Sequence, residues 1–89
     1  MTSVLIKHRV KDALAWKKIF DSHADFRKKG GEMDTKIFQA AEDPNELVLL
    51  FDWDSIAKAK NFMDSPELKS LMAEAGVMDK PRIHFLNAM

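Results

Sequence analysis

Histidines are the side chains in this sequence best suited to proton transfer. His8 lies on the otherwise apolar face of the first predicted strand, and His23 lies one helical turn before Arg27 on a predicted helix. A partly buried imidazole has its charged form disfavoured, which leaves it neutral and able to accept a proton near physiological pH. His8 is therefore the candidate catalytic base.

The same histidines also have structural interpretations. A histidine at the end of a strand can satisfy a local hydrogen bond, and His23 with Arg27 can form an inward-facing pair that bonds loop carbonyls or a carboxylate. A metal site would require His8, His23 and His84 to converge from three elements without the spacing typical of metal ligands. The sequence predicts no metal site and leaves the roles of His23, Arg27 and His84 open.

Composition and charge restrict the function classes. The 14 Lys and Arg balance the 14 Asp and Glu, so no overall field attracts nucleic acid. The longest apolar run is far shorter than the roughly 20 residues that cross a membrane, and no basic segment precedes an apolar one at the N-terminus. With no cysteine, disulfides and thiolate chemistry are excluded. We expect one cytoplasmic domain, residues 1–89, that binds neither nucleic acid nor membrane.

The run Leu47-Val48-Leu49-Leu50-Phe51 predicts a strand that is apolar on both faces. In a chain of 89 residues two helices can cover only one face of a small sheet. The other face, bearing Leu5, Val48 and Leu50, needs a second protein surface. This pattern predicts a homodimer that uses that face as its interface.

The predicted order of elements is βαββαβ, an α+β fold of the ferredoxin-like type, with a four-stranded antiparallel sheet and the helices on one face. Helix one begins at Asp12 and ends at Gly30-Gly31, and helix two begins at Ser55 with a restart at Ser65-Pro66. Strands are predicted at 4–10, 35–40, 47–51 and 82–86, and a turn at Asp43-Pro44-Asn45 joins the second to the third.

This topology makes strands one and three neighbours. His8 should then share the helix-facing side with Phe51 and Trp53, while Lys7 and Arg9 are predicted to meet Asp52 across the other face. Aromatic and thioether side chains would give a flat aromatic ligand suitable walls. The predicted wall residues are Trp16, Phe20, Trp53, Phe62 and Met63.

Three short motifs carry a family resemblance, namely His8-Arg9-Val10, Phe51-Asp52-Trp53-Asp54-Ser55 and Phe62-Met63-Asp64-Ser65-Pro66-Glu67-Leu68. With the element order, they resemble the antibiotic biosynthesis monooxygenase type of domain in the dimeric α/β-barrel superfamily, over nearly the whole chain. The resemblance implies a dimeric α/β barrel. Members of the superfamily include cofactor-independent monooxygenases of aromatic polyketides, haem-degrading monooxygenases and polyketide cyclases.

The chain departs from these relatives at the positions that carry their chemistry. The resemblance places His8 where haem-degrading relatives have a cavity-facing Asn, and Phe62 where they have a Trp and many antibiotic-type enzymes a His. Their iron-ligating His falls at about Met72. The comparison therefore implies a protein without haem, and no glycine-rich phosphate loop predicts another cofactor.

Two functions are compatible with the sequence. The first is a cofactor-independent monooxygenase, or a cyclase, that acts on a small aromatic or polyketide-like compound with His8 as base. The second is a non-catalytic ligand-binding or accessory dimer. A second polar group that converges on the pocket would favour the enzyme. The predicted ligand-contacting residues are Trp53, Phe62, His23, Trp16, Phe20 and Met72.

Overall fold

The computed structural model describes residues 2–78 and 80–89, and within them the chain forms four strands and four helices. In chain order these are β1 (Thr2–Arg9), α1 (Ala13–Ser22), α2 (Ala24–Lys29), β2 (Glu32–Gln39), β3 (Glu46–Trp53), α3 (Ile56–Met63), α4 (Pro66–Glu74) and β4 (Arg82–Asn87). No helix in these ranges has both the length and the apolar character to cross a membrane.

The strands form one sheet in the order β2-β3-β1-β4, and every neighbouring pair is antiparallel. The register sets His8 opposite Leu47 and Ile6 opposite Leu49. Burial alternates along β3, so that every second side chain enters the core between sheet and helices. The predicted ferredoxin-like α+β fold is confirmed, with each predicted helix divided into two pieces.

Side-chain caps start the helices where the sequence predicts them. Asp12 accepts the backbone N–H groups of Leu14 and Ala15, while Ser55 and Ser65 accept those of Lys58 and Leu68. At the other end, Gly31 takes the left-handed conformation at φ 114°, which glycine adopts without steric cost.

The first helix is not continuous, because it breaks at His23 (φ −108°, ψ 22°). Ser22 Oγ donates to the carbonyl oxygen of Ile19 at 2.7 Å, and His23 Nδ1 lies 2.8 Å from the same oxygen. Side chains that bond a carbonyl of the preceding turn compete with the backbone ladder of a helix. The break redirects α2 and places His23 at the junction.

The outer face of the sheet, which points away from the helices, holds Leu5, Val48 and Leu50 in half-buried positions. The predicted approach of Lys7 and Arg9 to Asp52 is wrong. In an antiparallel pair the end of β1 meets the start of β3, so Lys7 is opposite Val48 and Arg9 opposite Glu46. Asp52 instead accepts a hydrogen bond from Ser3 Oγ at 3.1 Å, and Arg9 forms an ion pair with Asp43.

Candidate functional site

A cavity of about 80 Å³ lies between the helix-facing side of the sheet and the helices. Its floor consists of Ile6, Leu49 and Phe51, and α4 covers the opposite side with residues that include Leu71 and Met72. Nearly all of its surface is apolar. Such a cavity suits a flat hydrophobic ligand whose few polar groups meet a few polar side chains.

His8 is one of those polar side chains. It is 6% exposed and lies on β1, facing the helices. Its ring meets Trp16 edge-on, with centroids 5.7 Å apart and an interplanar angle of 68°. Trp16 in turn stacks on Phe20 at 4.8 Å. Because these rings pack on one another, the imidazole has a defined orientation at the cavity wall.

His23 reaches the same cavity from the break between α1 and α2. Its Nδ1 lies within hydrogen-bonding distance of the carbonyl oxygen of Ile19, at 2.8 Å, and of Ser22 Oγ, at 3.0 Å. A bond to a carbonyl requires the hydrogen on Nδ1, so in the neutral ring Nε2 is the acceptor.

Arg27, on α2, is the third polar group at the cavity and is 9% exposed. Its Nε donates to Glu32 Oε2 at 2.5 Å, and its Nη1 donates to the carbonyl oxygen of Phe20. The guanidinium also lies over the Phe20 ring, 3.6 Å from the centroid. His23 and Arg27 thus make the carbonyl and carboxylate contacts of the structural interpretation, and they line the cavity as well.

Six of the predicted site residues line this cavity, and one does not. The six are His8, Trp16, Phe20, His23, Phe62 and Met72. Trp53 is fully buried beside Phe62, and its Nε1 donates to the carbonyl oxygen of Gly30 at 2.9 Å. It lies behind the wall and supports Phe62. Arg27 was not among the predicted binding residues. Its position one helical turn after His23, on the same face of the predicted helix, was the signal that could have identified it.

The three histidines do not come together. His84 is exposed and pairs with Leu5 on the outer face, on the side of the sheet opposite to His8. Within residues 2–78 and 80–89, no group of three potential ligand side chains is arranged to hold a metal ion.

A second recess, of about 100 Å³, lies at the end of β1. Its lining is mostly charged and includes Lys7, Arg9, Glu46, Lys80 and Arg82. Because it offers little apolar surface, the aromatic-lined cavity is the better candidate site for an aromatic ligand.

Solved structures with the same fold include proteins of the class that the motifs predict. A structure described as an antibiotic biosynthesis monooxygenase superposes with a TM-score of 0.74 and 13% identity over 100% of this chain and 99% of that chain. SnoaB from Streptomyces nogalater, described as a cofactor-independent oxygenase, superposes with a TM-score of 0.77 and 12% identity over 99% of this chain and 92% of that chain. Rv0793 from Mycobacterium tuberculosis superposes with a TM-score of 0.71 and 18% identity over 99% of this chain and 94% of that chain.

No protein-family model and no curated protein matches the chain. At these identities the likeness shows the fold, and the chain has the fold of the antibiotic biosynthesis monooxygenase domains. The activity must be argued from the site itself.

Proposed function

We propose that the protein is a cofactor-independent monooxygenase that acts on a small aromatic or polyketide-like compound in the cavity between sheet and helices. The observation that carries the proposal is the convergence of His8, His23 and Arg27 on a cavity that is otherwise apolar. The description of SnoaB, which has the same fold, as a cofactor-independent oxygenase adds support.

The reaction needs a base and a dry cavity, and the substrate itself supplies the electrons. His8 removes the proton of a phenolic hydroxyl, and a ring carbon of the phenolate reacts with O2 to give a hydroperoxide after the proton returns. The hydroperoxide then loses water: the hydrogen on that carbon leaves as a proton, the O–O bond breaks to release hydroxide, and the carbon becomes a carbonyl. One phenol and one O2 thus become one quinone and one water, which requires no external reductant.

The apolar walls support this chemistry because they limit the access of water to the anion and its peroxide. The cavity of about 80 Å³ is close to half the roughly 150 Å³ of an engineered cavity that accepts benzene. Even a small phenol, which is larger than benzene, therefore requires α4 to move outward to some extent, and larger compounds require a larger movement.

The proposal includes a homodimer in the cytoplasm, with the outer face of the sheet as the interface and no haem, flavin or metal bound. Leu5, Val48 and Leu50 form the half-buried centre of that face, and Phe38 and Leu86 add surface that is 52% and 40% exposed. A second copy on this face would remove the apolar surface from water.

Oxygen uptake and product analysis test the proposal, with a series of phenols, dihydroxynaphthalenes and anthrones. We expect one O2 consumed per substrate converted, without hydrogen peroxide. Loss of a general base costs about 10²–10⁴ in rate, so His8→Ala and His8→Gln should fall in that range. Asp21→Ala removes an exposed charge on α1, away from the cavity lining and from the outer face of the sheet, and is the control, with an unchanged rate expected.

A ligand that raises Tm without oxygen uptake would refute the monooxygenase and support the non-catalytic ligand-binding dimer. His8→Gln keeps a hydrogen-bonding side chain but has no basic nitrogen. A normal rate in folded His8→Gln would therefore remove His8 from the mechanism.

A further inference from the structure

We infer that Arg27 binds an oxyanion of the cavity's ligand, so that the ligand class is an aromatic compound carrying a phenolate or a carboxylate. The inference rests on the cavity of the proposed function and deepens it. It concerns binding and does not depend on oxygen chemistry.

Arg27, at the cavity wall, has more hydrogen-bond donors than its contacts within the protein use. A guanidinium has five N–H donors in a fixed plane. One donates to Glu32 and one to the carbonyl oxygen of Phe20, which leaves three without a partner among the described residues. A ligand oxygen that reaches the guanidinium accepts from these donors, and such charge-assisted hydrogen bonds are stronger than neutral ones.

The guanidinium of Arg27 is held rigidly. The Phe20 ring lies against one face of the guanidinium at 3.6 Å, while Glu32 and the Phe20 carbonyl hold two of its edges. An arginine fixed in this way loses little further freedom when it binds a planar carboxylate or a phenolate. The remaining N–H groups are thus prepared for an anion.

Fold stability alone does not require the ion pair of Arg27 with Glu32. The Arg27 and Glu32 side chains are 10% and 7% exposed. Bringing two charges out of water costs about as much as their attraction returns, and apolar residues of similar volume often stabilise as well or better. Because Glu32 neutralises the guanidinium, the preference for an anion arises from the directed N–H donors.

Two matched probes separate this role from simple hydrophobic binding. Benzoate carries an oxyanion, and nitrobenzene is a neutral compound of nearly the same shape. Calorimetric titration of the wild-type protein should give a benzoate affinity that is about ten- to hundredfold higher, as expected for charge-assisted hydrogen bonds. Equal affinities, or no binding of either probe, would refute the inference.

The double variant Arg27→Met/Glu32→Leu replaces the whole pair with apolar residues and avoids an isolated buried charge. It should lose the preference for benzoate and keep the nitrobenzene affinity. Lys28→Met removes an exposed charge from the same helix and should keep the preference. A double variant that still prefers benzoate would refute the inference.

A measurement on the wild-type protein covers the case in which the double variant does not fold. The side-chain N–H resonances of Arg27 should shift during titration with benzoate and stay in place with nitrobenzene. Unchanged resonances at saturating benzoate would refute the inference. Benzoate binding that depends on Arg27, in a protein that oxidises no phenol, would keep the inference and remove the monooxygenase.

Discussion

Substitution of Gly30 by alanine tests the packing of the cavity wall, because the sign of its effect depends on one neighbour. Gly30 has φ −77° and ψ −9°, a conformation open to alanine. If there were space for the added methyl group, the substitution would raise the free energy of unfolding by about 0.4–1 kcal/mol, because alanine makes the unfolded chain less flexible. The added Cβ, however, would lie 2.4 Å from Cδ1 and 3.1 Å from Cε1 of Phe62.

Phe62 has little room to yield, because its ring lies 4.9 Å from the Phe26 ring and 5.0 Å from the Trp53 ring. The ring can move only towards the cavity, away from its contacts with these two rings. Overpacking of this kind costs about 1–3 kcal/mol. Subtraction of the backbone gain leaves about 0–2.6 kcal/mol. We therefore expect Gly30→Ala to destabilise by about 1.3 kcal/mol, the centre of that range, which lowers Tm by roughly 5–10 °C.

Thermal and urea denaturation of four proteins measure the effect: wild type, Gly30→Ala, Phe62→Leu and the double variant. Without the ring, alanine at position 30 should become neutral or stabilising, which gives a coupling energy of about 1 kcal/mol or more. Gly76→Ala is the control. Gly76 has φ 81° and only ordinary contacts, nearest Lys11 Cβ at 3.6 Å, so its cost should not depend on Phe62. A higher Tm for Gly30→Ala, or the same effect in both backgrounds, would refute this packing.

Three further predictions address association, capping and cofactors. Leu50→Glu should dissociate or unfold the dimer, because an unpaired buried carboxylate costs about 3 kcal/mol or more. Leu14→Glu places the same charge at an exposed helical position and should leave the dimer intact. Sedimentation equilibrium at low micromolar concentration measures the association state of both variants. A wild-type protein that sediments as a folded monomer would contradict the dimer. Asp12→Ala should cost about 1 kcal/mol through loss of the α1 cap, whereas Asp21→Ala removes only an exposed ion pair with little effect, as urea midpoints will show. Absorbance spectra and elemental analysis of the purified protein should find no haem, flavin or metal, since Met72 occupies the expected haem-ligand position; a stoichiometric chromophore would overturn this.

Much of the fold was predictable because its signals are local in sequence. The caps at Asp12, Ser55 and Ser65 depend on side chains that bond backbone groups two or three residues away. The break at His23 was missed, because no glycine or proline marks it and it coincides with side-chain bonds to a single carbonyl.

The sequence was sufficient to predict which side chains face the cavity, but not which atoms these side chains contact. Alternation along β1 and helical spacing correctly placed His8 and Trp16 on the side of the cavity. Periodicity gives the face of a residue and not its position along that face, so Trp53 was expected at the ligand and lies behind Phe62 instead. The ion pair of Arg27 with Glu32 was beyond such reasoning, because it depends on how β2 follows α2 in space.

The two sides of the cavity differ in a way that orients a ligand. His8 lies on β1, His23 at the junction between α1 and α2, and Arg27 on α2. On the other side, α4 contributes half-buried apolar side chains and has no fully buried residue. With the role inferred for Arg27, a ligand with one acidic oxygen gains most when that oxygen points towards Arg27 and its ring extends towards α4. Met72 lies on that side, and an unbranched thioether adapts its shape at low cost. Additional rings would thus displace α4 and leave His8, His23 and Arg27 in place, so in the proposed reaction ring count should change affinity more than the rate of proton transfer.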